Sequence, residues 1–430
     1  MLSILTAPHT FAAVVGGFDP NSPAFQLPLL LITFVVIPSF FEKSLRLPGL
    51  VGLIAVGYFM GPEVINVFQD TSNEGNFLRV FSDVGLILLM FMAGLEVELE
   101  QFLKVKDRSM VFGLISFLIP FVAGLGLGFY YGYGVAASIL IGSFVGSHTL
   151  VDLPTLSRQD KMGDESVVVT IGGTIITDVV SLLVLTFAVD LGSFPPGAGV
   201  NVVSILLLLV KSGIFFAVIL VGLSSALKLF FKKRGCRSGD VGFLLLFASL
   251  LFSAELAHAI GIEPIVGAFL AGLATNSAIE SYIKLSPNYA FGKNVRLAQE
   301  QVLFLASAIF ITSFFVFLGV ELQLRGLAED PAALWIGLAL TVALVGTKWL
   351  ASVGIQRIYN YSKAQMRTMW ALSIPQVGAT TAAAFVGVQV GLIDIKMLTA
   401  SVILVLITSL IGPILLRKAA DDLPQSPKAS

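Results

Sequence analysis

The chain has 430 residues, of which 56% are hydrophobic and only 12% charged, and its net charge is −1. A soluble globular chain carries about 25% charged residues, so these values exclude a soluble enzyme, a nucleic-acid binder and a disordered regulator, and leave a polytopic membrane protein. The single cysteine, Cys236, excludes a disulfide framework, and His9, His148 and His258 lie too far apart for a histidine metal cluster.

Taken in chain order, residues 1–25 read as an extramembrane N-terminal segment, because Pro8 and His9 interrupt its apolar stretch and no basic leader precedes it. A membrane helix needs about 20 mainly apolar residues. On that criterion thirteen segments follow, at 26–41, 48–60, 78–97, 109–131, 134–157, 165–191, 200–230, 240–260, 263–277, 299–322, 332–357, 364–392 and 395–417. Together they predict a membrane domain over 26–417, with a short tail at 418–430. Lysine and arginine orient the segments. One set of alternate loops, with the tail, carries 21 of them, and the opposite loops only Arg79, Arg325 and Lys396. This predicts an odd number of crossings, with the N-terminus outside and the C-terminus in the cytoplasm. The two remaining basic residues, Lys211 and Lys348, fall inside segments.

The third segment ends in Gly94-Leu95-Glu96-Val97-Glu98-Leu99 and the tenth in Gly319-Val320-Glu321-Leu322-Gln323-Leu324, an offset of 225. The second segment has Pro48, Gly52 and Gly57, and the ninth has Pro264, Gly267 and Gly272, with the glycines at an offset of 215. The pattern predicts a repeat over about 26–191, a linker helix at about 200–230 and a second repeat over about 240–417. Seven crossings separate equivalent helices, so the repeats are inverted, as in secondary transporters.

Two segments are interrupted. The fifth contains Gly142-Ser-Phe-Val-Gly146-Ser147-His148-Thr149-Leu-Val-Asp152-Leu-Pro154, and the twelfth Ser373-Ile-Pro375-Gln376-Val-Gly378-Ala-Thr380-Thr381. The 225 offset carries 147–154 onto 372–379. Proline removes a backbone donor and clashes with the preceding turn. Freed backbone survives in a membrane only where it is buried in protein or lines a cavity. The pair therefore predicts two discontinuous helices around a transport site.

Ionisable residues inside a membrane segment are costly and mark functional sites. Asp178, about twelve residues into the sixth segment, lies roughly 18 Å along the helix, near the bilayer midplane. A carboxyl group there can hold a proton or a cation but not both, and that competition is enough to make an exchanger. Lys348, deep in the eleventh segment, is expected to be a counter-charge for Asp178 or for the carbonyl ends of the broken helices. A hard monovalent cation needs neutral oxygens beside the carboxylate. Thr177, Ser147, Thr149, Asp152 and Gln376 are the candidate ligands. His148 and Asp152 also stand where they can balance helix-end dipoles.

The chain resembles the bacterial monovalent cation:proton antiporter family, in the branch of sodium/proton and glutathione-regulated potassium efflux antiporters. The likeness runs from about residue 26 to 417. It includes Val84-Gly85-Leu86 with Phe91-Met92-Ala93-Gly94-Leu95-Glu96, Ile265-Val266-Gly267-Ala268-Phe269-Leu270-Ala271-Gly272, and Phe314-Phe315-Val316-Phe317-Leu318-Gly319. The resemblance implies two crossing discontinuous helices, a separate dimerisation domain, a homodimer and elevator-like alternating access. It also implies that Asp178 is the ion-binding aspartate and Lys348 the basic residue of the eleventh helix. Thr177 departs from the acidic or amide residue of the family at its position. Ser147 and Thr149 fit the family's small hydroxyl residues, whereas His148 does not. The sequence stops soon after the last segment, so a cytoplasmic nucleotide-binding domain is not expected.

The expected function is secondary antiport of protons against Na+, K+ or Li+. On this reading the protein is a transporter, not an enzyme, and it uses no cofactor. With one carboxylate the expected exchange is electroneutral. The expected setting is a lipid bilayer, the bacterial inner membrane. Two alternatives stand beside it: a membrane sensor on the same scaffold, and an organic-anion symporter with inverted repeats, against which the central Asp178 argues.

Overall fold

The computed structural model describes residues 23–45, 48–68 except 63 and 66, 77–95, 105–149, 156, 161–192, 202–234, 239–285, 297, 300–321 except 303, and 331–423. Every regular element among them is a helix, and eight candidate spans are long and apolar enough to cross a membrane.

The described chain begins with α1 (Pro23–Phe40), which runs into a π-helical turn at Phe41–Leu45. Proline suits the first helical position because its missing N–H is not needed there, and the helix starts three residues before the expected 26. Then come α2 (Gly49–Met60), α3 (Phe77–Leu95), α4 (Lys106–Tyr130) and α5 (Val135–Gly146). The long α6 (Glu165–Gly192) carries Asp178. Next, α7 comprises Val202–Ala217, a π-helical stretch at Val218–Leu223, and Ser224–Arg234.

Next are α8 (Gly239–Ala259) and α9 (Pro264–Leu285). The latter runs eight residues past the expected 277, because helical backbone continues through the polar Asn276, Ser277, Glu280 and Ser281 after the apolar stretch has ended. The hydroxyl of Ser281 bonds back to the Ser277 carbonyl at 2.7 Å. A π-helical stretch at Ala306–Ile311 leads into α10 (Thr312–Val320), and α11 (Ala332–Tyr359) carries Lys348. The twelfth predicted segment is two helices, α12 (Lys363–Leu372) and α13 (Gly378–Gln389). Ser362 and Gln365 form a reciprocal cap at the start of α12. Asp394 caps α14 (Ile395–Asp421) through the Met397 amide at 2.9 Å, and this helix runs four residues beyond the expected 417.

The helices form two compact units. The first comprises Met1–Leu89, Ser238–Phe247 and Lys293–Asp330, and the second the rest. Within the first, α2 and α10 cross at glycine. A Cβ on Gly57 would lie 2.0 Å from the Val316 carbonyl oxygen, and one on Gly319 would lie 2.1 Å from that of Ile54. Within the second, the end of α3 crosses α9 in the same manner. A Cβ on Gly94 would lie 2.1 Å from the Phe269 oxygen, and one on Gly272 would lie 2.1 Å from that of Phe91. Small residues of this kind let membrane helices approach to backbone contact. Also in the second unit, Phe112, Val169, Ile355, Tyr361 and Met369 form a buried cluster that joins α4, α6, α11 and α12.

Candidate functional site

The site lies in the second unit, where α5 ends and α12 gives way to α13. A helix leaves its last carbonyls and first N–H groups without helical partners. Here the two breaks supply partners to each other. The Phe144 carbonyl accepts from the Thr380 hydroxyl at 3.0 Å, and the Ser147 carbonyl accepts from Gln376 Nε2. In return, Thr149 Oγ1 accepts from the Val377 and Gly378 amides at 3.3 and 3.2 Å, and the Thr149 amide donates to the Pro375 carbonyl at 2.8 Å. Gln376 Oε1 accepts from Thr380 at 2.7 Å, and the Gln376 amide reaches Thr408 Oγ1 on α14 at 3.2 Å.

Lys348 is fully buried. Its ammonium donates to the Gly146 carbonyl at 2.7 Å and to the Ser116 carbonyl at 2.8 Å. The first is an end carbonyl of α5, where the helix dipole is negative. The second has lost its helical donor, because the residue four positions on is Pro120, inside α4. One lysine thus satisfies two carbonyls, one freed by a helix end and one by a proline.

Asp178 is partly exposed, while its neighbours Ser147 and Thr177 are buried. The Ser147 hydroxyl donates to Asp178 Oδ1 at 3.0 Å. Among the described residues, no cationic group forms an ion pair with it, and no group of three or more His, Cys, Asp or Glu side chains is assembled. The chemistry available is therefore that of one accessible carboxylate backed by a hydroxyl. His148, fully buried, fills the space between Lys348 and α6. Its Nε2 is 2.9 Å from Thr174 Oγ1, and its Nδ1 is 3.3 Å from Thr177 Oγ1 and 3.5 Å from Lys348 Nζ.

The start of α6 is fixed from outside the apolar stretch. Asp164 caps it through the Ser166 amide at 2.8 Å. Glu165 pairs with Arg108 and accepts from the Tyr361 hydroxyl at 2.7 Å. Burial pushes the Tyr361 phenol above its ordinary range, so it stays protonated as a donor.

The structure thus brings Asp178, Ser147, Thr177, His148 and Lys348 together, with Thr149 and Gln376 alongside. Two of the expected cation ligands are otherwise employed. Gln376 Nε2 and the Thr149 hydroxyl are engaged in joining the breaks, and Gln376 Oε1 accepts from Thr380 within its own break. Thr177 donates to the Thr174 carbonyl at 3.0 Å and faces His148. Asp152 lies outside the described residues. Lys348 bonds to the carbonyl end of α5 and forms no ion pair with Asp178. Sequence reasoning misses Ser116, Thr174, Thr380 and Thr408 as members of this network. For Ser116 a signal exists, since Pro120 four residues on frees its carbonyl.

A family model described as sodium/hydrogen exchanger, transmembrane, matches residues 29–419. The Na+/H+ antiporter NhaS5 of Synechocystis sp. is 34% identical over 414 residues, which are 94% of this chain and 56% of that protein. This chain therefore spans little more than half the length of that relative. The Na+/H+-K+ antiporter GerN of Bacillus cereus is 27% identical over 94% of this chain and 98% of its own. The structure of the sodium proton antiporter MjNhaP1 of Methanocaldococcus jannaschii at pH 8 matches with a TM-score of 0.68 at 16% identity, over 93% of this chain and 97% of that one. At that identity the likeness is one of fold.

Proposed function

Because the chain belongs to the transmembrane sodium/hydrogen exchanger family, we propose that this multi-pass membrane protein exchanges protons for a monovalent cation, with Asp178 holding each in turn. The observation that carries the reading is the state of Asp178. It is accessible, it is bonded by Ser147 at the meeting of two broken helices, and among the described residues no fixed cation pairs with it. A proton or a monovalent ion completes it equally well in charge. The names of the relatives support Na+ and K+ as the cations.

In this proposal thirteen crossings form two inverted repeats, with α7 as the linker. The two glycine crossings support this, since Gly57 and Gly272 differ by 215 and Gly94 and Gly319 by 225, the offsets of the repeat. Alternating access exposes Asp178 to each side, and the protein is a homodimer in the bacterial inner membrane with its C-terminus in the cytoplasm. Ser147 and backbone carbonyls supply the neutral oxygens. Lys348 holds the end of α5.

Purified protein in vesicles with an imposed pH gradient tests the proposal. Adding Na+, K+ or Li+ should release protons in the wild type, and Asp178→Asn should abolish that release. Retention of cation-driven proton flux by Asp178→Asn overturns the assignment. Absence of flux for every monovalent cation in the wild type favours a sensor on this scaffold.

A further inference from the structure

We propose that His148 is a positioning residue: its imidazole stands between the Lys348 ammonium and the helix that carries Asp178, and keeps the lysine on the end of α5 so that the carboxylate is left to the transported ion. The inference rests on the exchange reading above and assigns a role to a residue on which that reading does not depend.

The hydrogen bonds define the ring's state. The Thr174 hydroxyl donates to the Thr170 carbonyl at 3.0 Å, and the Thr177 hydroxyl donates to the Thr174 carbonyl at 3.0 Å. Each hydroxyl proton thus has a backbone acceptor at hand and is not needed by the ring. With Lys348 as an ammonium, which has donors only, the nitrogen facing it, Nδ1, is the acceptor. Nε2 then carries the proton and donates to Thr174 Oγ1. The ring is neutral and held at both edges, and Phe112 meets it edge-on with centroids 6.3 Å apart.

The lysine is held with it. Two of its three N–H groups go to the Ser116 and Gly146 carbonyls, and the third is directed at His148 Nδ1 and, at 3.4 Å, at Ser116 Oγ. On α6, Thr174 and Asp178 are four residues apart and share a face, and Thr177 is the neighbour of Asp178. The imidazole therefore covers the patch of α6 beside the carboxylate. Without it, the ammonium loses one of the acceptors that hold it away from Asp178, and its third N–H can turn toward the carboxylate. In a water-poor interior a unit charge at contact distance is a strong competitor for a carboxylate, and a cation entering the site would have to displace it.

The test uses full-length protein at one fixed alkaline pH and follows the cation concentration giving half-maximal thermal stabilisation, together with KM and maximal rate in vesicles. His148→Leu fills the volume without an acceptor, whereas His148→Asn places a carboxamide oxygen near the Nδ1 position. His148→Leu is expected to raise the half-maximal concentration and the KM about tenfold or more, the scale of one charged hydrogen bond, with a smaller change in maximal rate. His148→Asn should stay close to wild type. In a Lys348→Leu background, where no lysine is left to compete, adding His148→Leu should leave the half-maximal concentration unchanged. Should His148→Leu not fold, His148→Met carries the same expectations. An unchanged KM in His148→Leu, a rise shared by His148→Asn, or a rise that persists without Lys348 overturns the proposal. Wild-type protein that moves no cation sinks the exchange reading instead.

Discussion

Lys348 satisfies two buried carbonyls that arise from unrelated causes, and this makes its structural role separable from its effect on transport. An orphaned buried carbonyl costs about 1–3 kcal/mol. Lys348→Leu should therefore lower the thermal midpoint of the purified protein by several degrees. Adding Pro120→Ala should recover part of the loss, because the substituted alanine returns an N–H to the Ser116 carbonyl within α4. Equal or greater loss in the double variant would show that the Ser116 contact contributes nothing. Asp178 and Lys348 are legible in sequence because a charge in an apolar segment has no neutral explanation. Thr149 and Gln376 do not reveal their tasks there. A hydroxyl or carboxamide in a broken helix serves an ion and an orphan backbone group equally well, and only the pairing of the two breaks shows which groups face each other.

At the level of helices, the breaks and crossings are legible in sequence and the ends less so. Gly146 and the Ser373–Val377 stretch interrupt their helices within the two motifs read from sequence. Hydropathy, by contrast, ends a helix where polar residues begin, and α9 continues for two further turns on backbone hydrogen bonds that polarity does not disturb. The glycine crossings give a sharp expectation. A methyl group on Gly57 or Gly272 meets a backbone carbonyl at about 2 Å, which only a shift of the helices relieves. Overpacking of this kind costs about 1–3 kcal/mol or more. Gly126, inside α4, has nothing within 4 Å of an added Cβ, and alanine there gains helix propensity of up to about 1 kcal/mol. Thermal unfolding in detergent should place Gly57→Ala and Gly272→Ala below wild type and Gly126→Ala level with it or above. The same midpoint for all three would mean that the crossings are not under steric control.

For the whole molecule, the composition becomes an argument about charge movement. Of the 26 lysines and arginines, only Lys211 and Lys348 lie more than three residues inside the apolar segments, and Lys348 is bound to the end of α5. A carboxylate that holds either one proton or one monovalent cation carries the same charge in both directions. Any charge on Lys348 that moves with it crosses outward with one ion and inward with the other, and so cancels over a cycle. The exchange should then be one for one and indifferent to membrane voltage. Moving one uncompensated charge through 100 mV changes the balance by about 2.3 kcal/mol, which is about fiftyfold in the final cation gradient. Vesicles clamped with a lipophilic ion that the protein does not carry should reach the same cation gradient at zero and at about 100 mV for a given pH difference. A shift approaching fiftyfold would require a second proton carrier beside Asp178, and the buried Lys348 would be the first residue to test for it.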